Sequence, residues 1–149
     1  MNNHIKYLEI AKNVSLLSDY SKQKLGAILV YKKHIISVGY NTEKTHPIQA
    51  EYNRHRVFYG NNIIPKAHAE TICLNRAKDL TIPYKNCILY VFRQWKNGTW
   101  AMAKPCSACT EMIRQKGIKT VVYTTYDGFA IEHFCKATWN SSFMWFLKG

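Results

Sequence analysis

Residues 87–124 read CILYVFRQWKNGTWAMAKPCSACTEMIRQKGIKTVVYT. Two apolar, β-prone runs, 87–92 (CILYVF) and 120–124 (TVVYT), enclose a stretch that predicts a helix over 107–116. Gly117 stands where that helix should end, since glycine adopts the left-handed C-terminal conformation at no steric cost. Asn97-Gly98 marks a turn inside the longer connection. Strand, helix, strand in this order is a crossover unit, which calls for an α/β sheet with helices packed on it.

Upstream, residues 67–79 predict another helix, and 25–31 (LGAILVY) and 35–40 (IISVGY) predict two strands. Lys32-Lys33-His34 separates those strands by so little that they should pair as a hairpin. Near the start, Tyr7, Ile10, Ala11, Val14 and Leu17 recur at helical spacing on one face. Residues 41–65 are polar and irregular, with Pro47, Gly60 and paired asparagines at 61 and 62; a connection that long is more often functional or flexible. The tail carries Trp139, Phe143, Met144, Trp145 and Phe146 and predicts a C-terminal helix closing the core, with a base-stacking platform as the alternative. Helices on both faces of the sheet make a three-layer α/β/α sandwich.

The chain has 149 residues, 47% hydrophobic and 20% charged, which suits one folded domain over 1–149 and argues against disorder. No repeat, low-complexity segment or linker divides it. The start lacks the apolar run of a signal peptide, and no stretch reaches the roughly 20 apolar residues of a membrane span. Five cysteines, an odd number, argue against a disulfide framework, so the expectation is a soluble, cytoplasmic protein. Lys and Arg number 21 against nine acids, a formal charge of +12. That excess favours phosphate-bearing partners, although biased composition alone could also produce it.

Two short clusters carry chemistry. His68-Ala69-Glu70 opens one predicted helix and Pro105-Cys106-Ser107-Ala108-Cys109 opens the next. Both follow a strand or loop, so both can face a crevice at the strand ends. Zinc takes nitrogen and sulfur donors in a tetrahedron, and a catalytic site leaves the fourth position to water. His68, Cys106 and Cys109 supply three such donors. Cysteines separated by two intervening residues sit within one turn of a helix N-terminus, where the dipole favours thiolates. Glu70, too close to His68 to be an obvious fourth ligand, is placed to move protons at the open position.

His-x-Glu followed by Pro-Cys-x-x-Cys is the pattern of the zinc nucleobase deaminases. With GAILV, ISVGYN, AHAE, PCSAC and IKTVVYTT in matching order, the chain resembles the cytidine and deoxycytidylate deaminase superfamily over most of its length. The resemblance implies a mixed sheet of about five strands, the fifth around 129–133. It implies zinc on His68, Cys106 and Cys109, with Glu70 as proton shuttle. It also places Asn41 and Ala69 against the substrate, and it allows a homo-oligomer. The turn at Trp95–Trp100 and the run Lys44-Thr45-His46-Pro47 depart from the pattern, which leaves the substrate less defined than the reaction.

The competing site reading is a closed structural zinc with a fourth ligand from His46, His55 or Cys73. The loop histidines read instead as solvated or substrate-edge residues, although a second zinc there stays open. Cys73 and Cys87 read as core, and Cys135 carries no signal. Arg54, Arg56, Lys66, Arg93, Lys96 and Lys104 flank the motifs and are candidates for phosphate contact.

Three functions compete: deamination of cytosine in single-stranded nucleic acid, deamination of free deoxycytidylate, and a non-enzymatic zinc-containing nucleic-acid module. The charge and the aromatics near basic residues tip the sequence slightly toward the first. Adenine in a tRNA loop is a smaller alternative.

Overall fold

The strand-forming runs are apolar at successive positions, and successive side chains point to opposite faces, so each strand can serve two cores at once. The computed structural model describes residues 2–20, 23–55, 66–134 and 141–147, the last as backbone. Its helices are α1 (Asn2–Ser15), α2 (Pro47–Asn53), α3 (Ala69–Arg76) and α4 (Ser107–Lys116). Its strands are β1 (Gln23–Tyr31), β2 (His34–Tyr40), β3 (Ile88–Trp95), β4 (Thr120–Thr124), β5 (Gly128–Phe134) and β6 (Ser141–Leu147). They form one sheet in the order β2-β1-β3-β4-β5-β6. The sheet is mixed: β3 and β4, joined through α4, are parallel, and every other pair is antiparallel.

Alternation divides the interior. Ala27, Leu29, Leu89, Val91, Val121 and Tyr123 face α3 and α4, while Ile28, Val30, Tyr90, Phe92 and Val122 face α1. The three-layer α/β/α arrangement follows. Two glycines let the helices approach. A Cβ on Gly26 would overlap Ala11 O and Ser15 of α1, and one on Gly39 would overlap Ala69 O and Cys73 of α3. The hairpin between β1 and β2 is as tight as its sequence suggests: Tyr31 pairs with His34 across Lys32 (φ 48) and Lys33 (φ 67). Two left-handed residues match the twist of the flanking strands, and the strand register imposes them on lysine. Gly117 ends α4 with φ 87, as its position foretold.

Four expectations need correction. The tail is not a C-terminal helix: 141–147 add a sixth strand, antiparallel to β5 throughout. A strand's hydrogen bonds lie on another strand, here the preceding β5, which periodicity within the segment cannot reveal. The stretch 41–65 is not irregular throughout, because α2 lies within it. Pro47 occupies the first turn, where a missing N–H costs nothing, and His46 caps it by accepting from Ile48 N at 3.1 Å. The first helix stops at Ser15; its buried face is Tyr7, Leu8, Ala11 and Ser15, and Leu17 is 64% exposed. The predicted helix over 67–79 spans only Ala69–Arg76, since His68 is its extended N-cap.

The long excursion between β2 and α3 closes at a neck. Thr42 N donates to Ala67 O, Ala67 N donates to Lys44 O, and Thr45 bridges Lys66. Asp19 ties the neck to the end of α1 by accepting from Glu43 N at 2.9 Å and from Thr42 Oγ1 at 3.2 Å. Residue 67 thereby arrives beside residue 42, which fixes where α3 begins. Among the described residues, no helix is long and apolar enough to cross a membrane.

Candidate metal centre and active-site pocket

Two helices begin at the same place. His68 is the N-cap of α3 and Cys106 the N-cap of α4, both with extended backbone, and neither side chain caps its own helix. Those side chains are therefore available to turn toward each other. His68 Nδ1 lies 3.6 Å from Cys106 Sγ and 3.4 Å from Cys109 Sγ. The three donor atoms fall within 4.8 Å of one another, the one such cluster among the described residues. Two sulfurs and an imidazole are a zinc donor set, and both helix N-termini add positive potential that favours thiolates.

The thiols differ because they share a proton. Cys106 is held down to about 3, chiefly by the hydrogen bond from Cys109 and then by His68; Cys109 is pushed well above its ordinary range by that same bond and by burial. A cation in the gap would displace the shared proton and stabilise both thiolates. Glu70, in the first turn of α3, is 3% exposed, and its Oε1 is buried with no hydrogen-bond partner. Burial pushes its carboxyl upward. A buried acceptor without a donor, beside three converging soft ligands, fits a site built to hold a metal and a reacting water.

No four-ligand cage forms from the candidates at hand. Cys73 is fully buried under β2, with its thiol pushed up to about 12 by desolvation, and His46 Nδ1 caps α2. Cys87 is core as well; Cys135 and Arg56 lie outside the described residues. Beside the cluster opens a cavity of about 450 Å³ whose walls include Asn41, Ala69, Glu70, His68 and Cys106. Three of the six candidate basic residues line it: Lys66, Arg93 and Lys104.

A match to the family model "cytidine and deoxycytidylate deaminase zinc-binding region" covers residues 1–125. The chain belongs to that family. Its fold is shared with a dCMP deaminase of the cyanophage S-TIM5, 24% identical over 83% of each chain with a TM-score of 0.56. It is also shared with a cytidine deaminase of Burkholderia pseudomallei, 18% identical over 95% of this chain and 91% of that one, again with a TM-score of 0.56. The phage enzyme in complex with dCMP and dUMP gives the same TM-score, 0.56, at 22% identity over 82% of this chain and 80% of that one. No curated protein matches the chain significantly. Zinc is thus the metal of this family's region, and His68, Cys106 and Cys109 are compatible with it.

The site has supports that the sequence did not disclose. Gln49 of α2 is fully buried, and its carboxamide oxygen accepts from His68 N at 3.0 Å and from Thr71 Oγ1 at 2.6 Å. Its Nε2 donates to Asn53 Oδ1 at 2.8 Å. Thr71 Oγ1 in turn lies 3.7 Å from Cys109 Sγ. One amide thus links the backbone of one candidate ligand to the sulfur of another. Tyr52 anchors α2 by donating to Gln115 Oε1 of α4 at 2.8 Å. Pro47 was the available signal for α2; nothing in the pattern pointed to Gln49. Asn41 lies on the pocket wall, but its side chain already straps β2 to β1. Its Oδ1 accepts from Leu25 N at 2.9 Å and its Nδ2 donates to Gln23 O at 3.1 Å. Each amide end retains capacity for one further hydrogen bond.

Proposed function

We propose that this chain is a zinc-dependent hydrolase that replaces the exocyclic amine of cytosine with oxygen, acting on a nucleotide. The observation that carries the proposal is a buried, unpartnered Glu70 oxygen beside the converging His68, Cys106 and Cys109. A zinc ion on those three residues would supply Lewis-acid activation of water near neutral pH. Glu70 would accept one proton of the attacking water and pass it to the ring nitrogen, then carry the proton of the new hydroxyl to the departing amine as the carbonyl forms and the carbon–nitrogen bond breaks, leaving uracil and ammonia. Burial suits it to this work, because a carboxyl that holds its proton more readily than usual can both take and return one. Asn41 and Ala69 would border the base and sugar.

The sequence leans toward single-stranded nucleic acid; the cavity moves the reading toward a free nucleotide such as deoxycytidylate. About 450 Å³ accommodates one nucleotide, and the phage dCMP deaminase with the same fold was captured with dCMP and dUMP. The charge of +12 favours the polynucleotide as the second reading. Zinc-loaded protein is incubated with dCMP, cytidine, single-stranded DNA and RNA, and uracil is scored in each. Conversion of dCMP well ahead of the polymers is expected. Conversion of DNA alone would overturn the nucleotide reading, and no uracil in any arm would refute the deaminase.

A further inference from the structure

We infer that Arg93 forms an anion subsite in the active-site pocket and receives the phosphate group of the substrate; this rests on the deaminase reading and names the substrate feature it leaves open. Period-2 alternation carries Leu89 and Val91 of β3 into the core beneath α3 and α4, so Arg93 emerges on the metal-site face at the pocket. It pairs across the sheet with Leu25, whose N–H is held by Asn41, and its own N–H donates to Thr124 Oγ1 at 3.1 Å. The arginine therefore springs from a row that spans β1, β3 and β4 at the mouth of the sheet and ends on Asn41, just past β2.

Its guanidinium is fixed from two sides. One Nη donates to Met102 O at 3.1 Å, and Cζ lies 5.0 Å from the centre of the Trp95 ring. The chain segment beyond β3 makes both contacts possible. Trp95 N bonds Thr99 O, Trp100 bridges Gln94, and Ala101 N returns to Arg93 O. What the guanidinium lacks is an anion. No carboxylate lies within salt-bridge distance of it among the described residues, and its Nε is buried without an acceptor. Burial lowers its affinity for its proton, the signature of a cation withdrawn from water and given no internal countercharge.

The neighbouring charges assign the role to this residue. Lys66 is already committed to Glu43 at 2.7 Å. Lys104, exposed, adds positive charge at the same wall. A phosphate supplies several oxygens to a planar fork of donors, and such charge-assisted contacts are strong where water is partly excluded.

Calorimetry with zinc-loaded protein compares inorganic phosphate, dUMP and deoxyuridine across wild type, Arg93→Met and Arg93→Lys, with exposed Lys96→Met as a charge control. The preference for dUMP over deoxyuridine should fall roughly 10- to 100-fold in Arg93→Met. Arg93→Lys should recover part of it, and Lys96→Met should retain it. Phosphate and dUMP binding alike in wild type and Arg93→Met would overturn the subsite. In turnover assays, an unchanged ratio of dCMP to cytidine rates in Arg93→Met would also overturn it, with the deaminase intact. Phosphate binding lost in Arg93→Met, with no cytosine substrate converted by wild type, would refute the reaction and leave the subsite standing. An oligonucleotide arm separates phosphate sources: a larger loss on dCMP than on single-stranded DNA marks a monoester.

Discussion

Gly26 and Gly39 solve the same packing problem on opposite faces of one sheet, and the outcomes differ. At Gly26 the missing side chain admits the backbone of α1, whose inward residues Tyr7, Leu8 and Ala11 are mainly apolar, with Ser15 the one buried polar residue among them. At Gly39 it admits α3, whose inward residues include Glu70 and Thr71. The α1 face holds the sheet together; the α3 face holds reactive groups in position. Burying polar atoms demands partners, so the second face needed an additional element, α2, to supply Gln49.

That contrast can be broken most forcefully at Glu70. Glu70→Gln should keep zinc and lower kcat by roughly a thousandfold, checked by metal content beside steady-state kinetics; normal turnover would remove the shuttle. Next come the glycines. Gly26→Ala and Gly39→Ala should each cost about 1–3 kcal/mol in denaturant melts. Only Gly39→Ala should also weaken zinc binding in a chelator competition, and equal zinc affinity in both would erase the distinction between faces. Gln49→Leu should weaken zinc binding roughly 10- to 100-fold while α1-face packing, read by near-ultraviolet dichroism, stays as it was.

The effect confined to alkaline pH concerns Cys73, on the α3 face but outside the candidate ligand cluster. Its folded-state thiol sits near 12 against an ordinary value of 9, so the folded chain holds a proton that the unfolded chain releases. Stability should therefore fall as pH rises from about 9 toward 12, by up to roughly 1.4 kcal/mol per pH unit for this group. Tyr123, held near 12 by burial, adds to the same trend. Cys73→Ala should flatten part of the slope in thermal melts; an unchanged slope would assign it wholly to other groups.

Legibility in the sequence followed the kind of force involved. β1 through β4, α3, α4 and the stop at Gly117 were written in apolar period and a single conformational preference, both local properties. The convergence of His68, Cys106 and Cys109 was legible because zinc chemistry restricts residue type and spacing together, and Glu70, proposed here as the shuttle, came with the same motif. Helix α2 was hidden because its buried residues are Gln49, Tyr52 and Asn53, a polar inward face that no hydrophobic pattern betrays. Leu17 misled because helical spacing continues past the point where the helix stops. Arg93 was one of six candidates for phosphate contact among 21 basic residues; only the strand register singled out its surroundings.

The last strand has a practical bearing. β6 covers all seven residues of β5, from Gly128 to Phe134. Shortening the chain before Ser141 would strip that cover and leave an apolar ribbon with open amides and carbonyls, a template on which neighbouring molecules can stack. Expression boundaries drawn at the last family-matched residue, 125, would remove both strands and leave β4 as the raw margin.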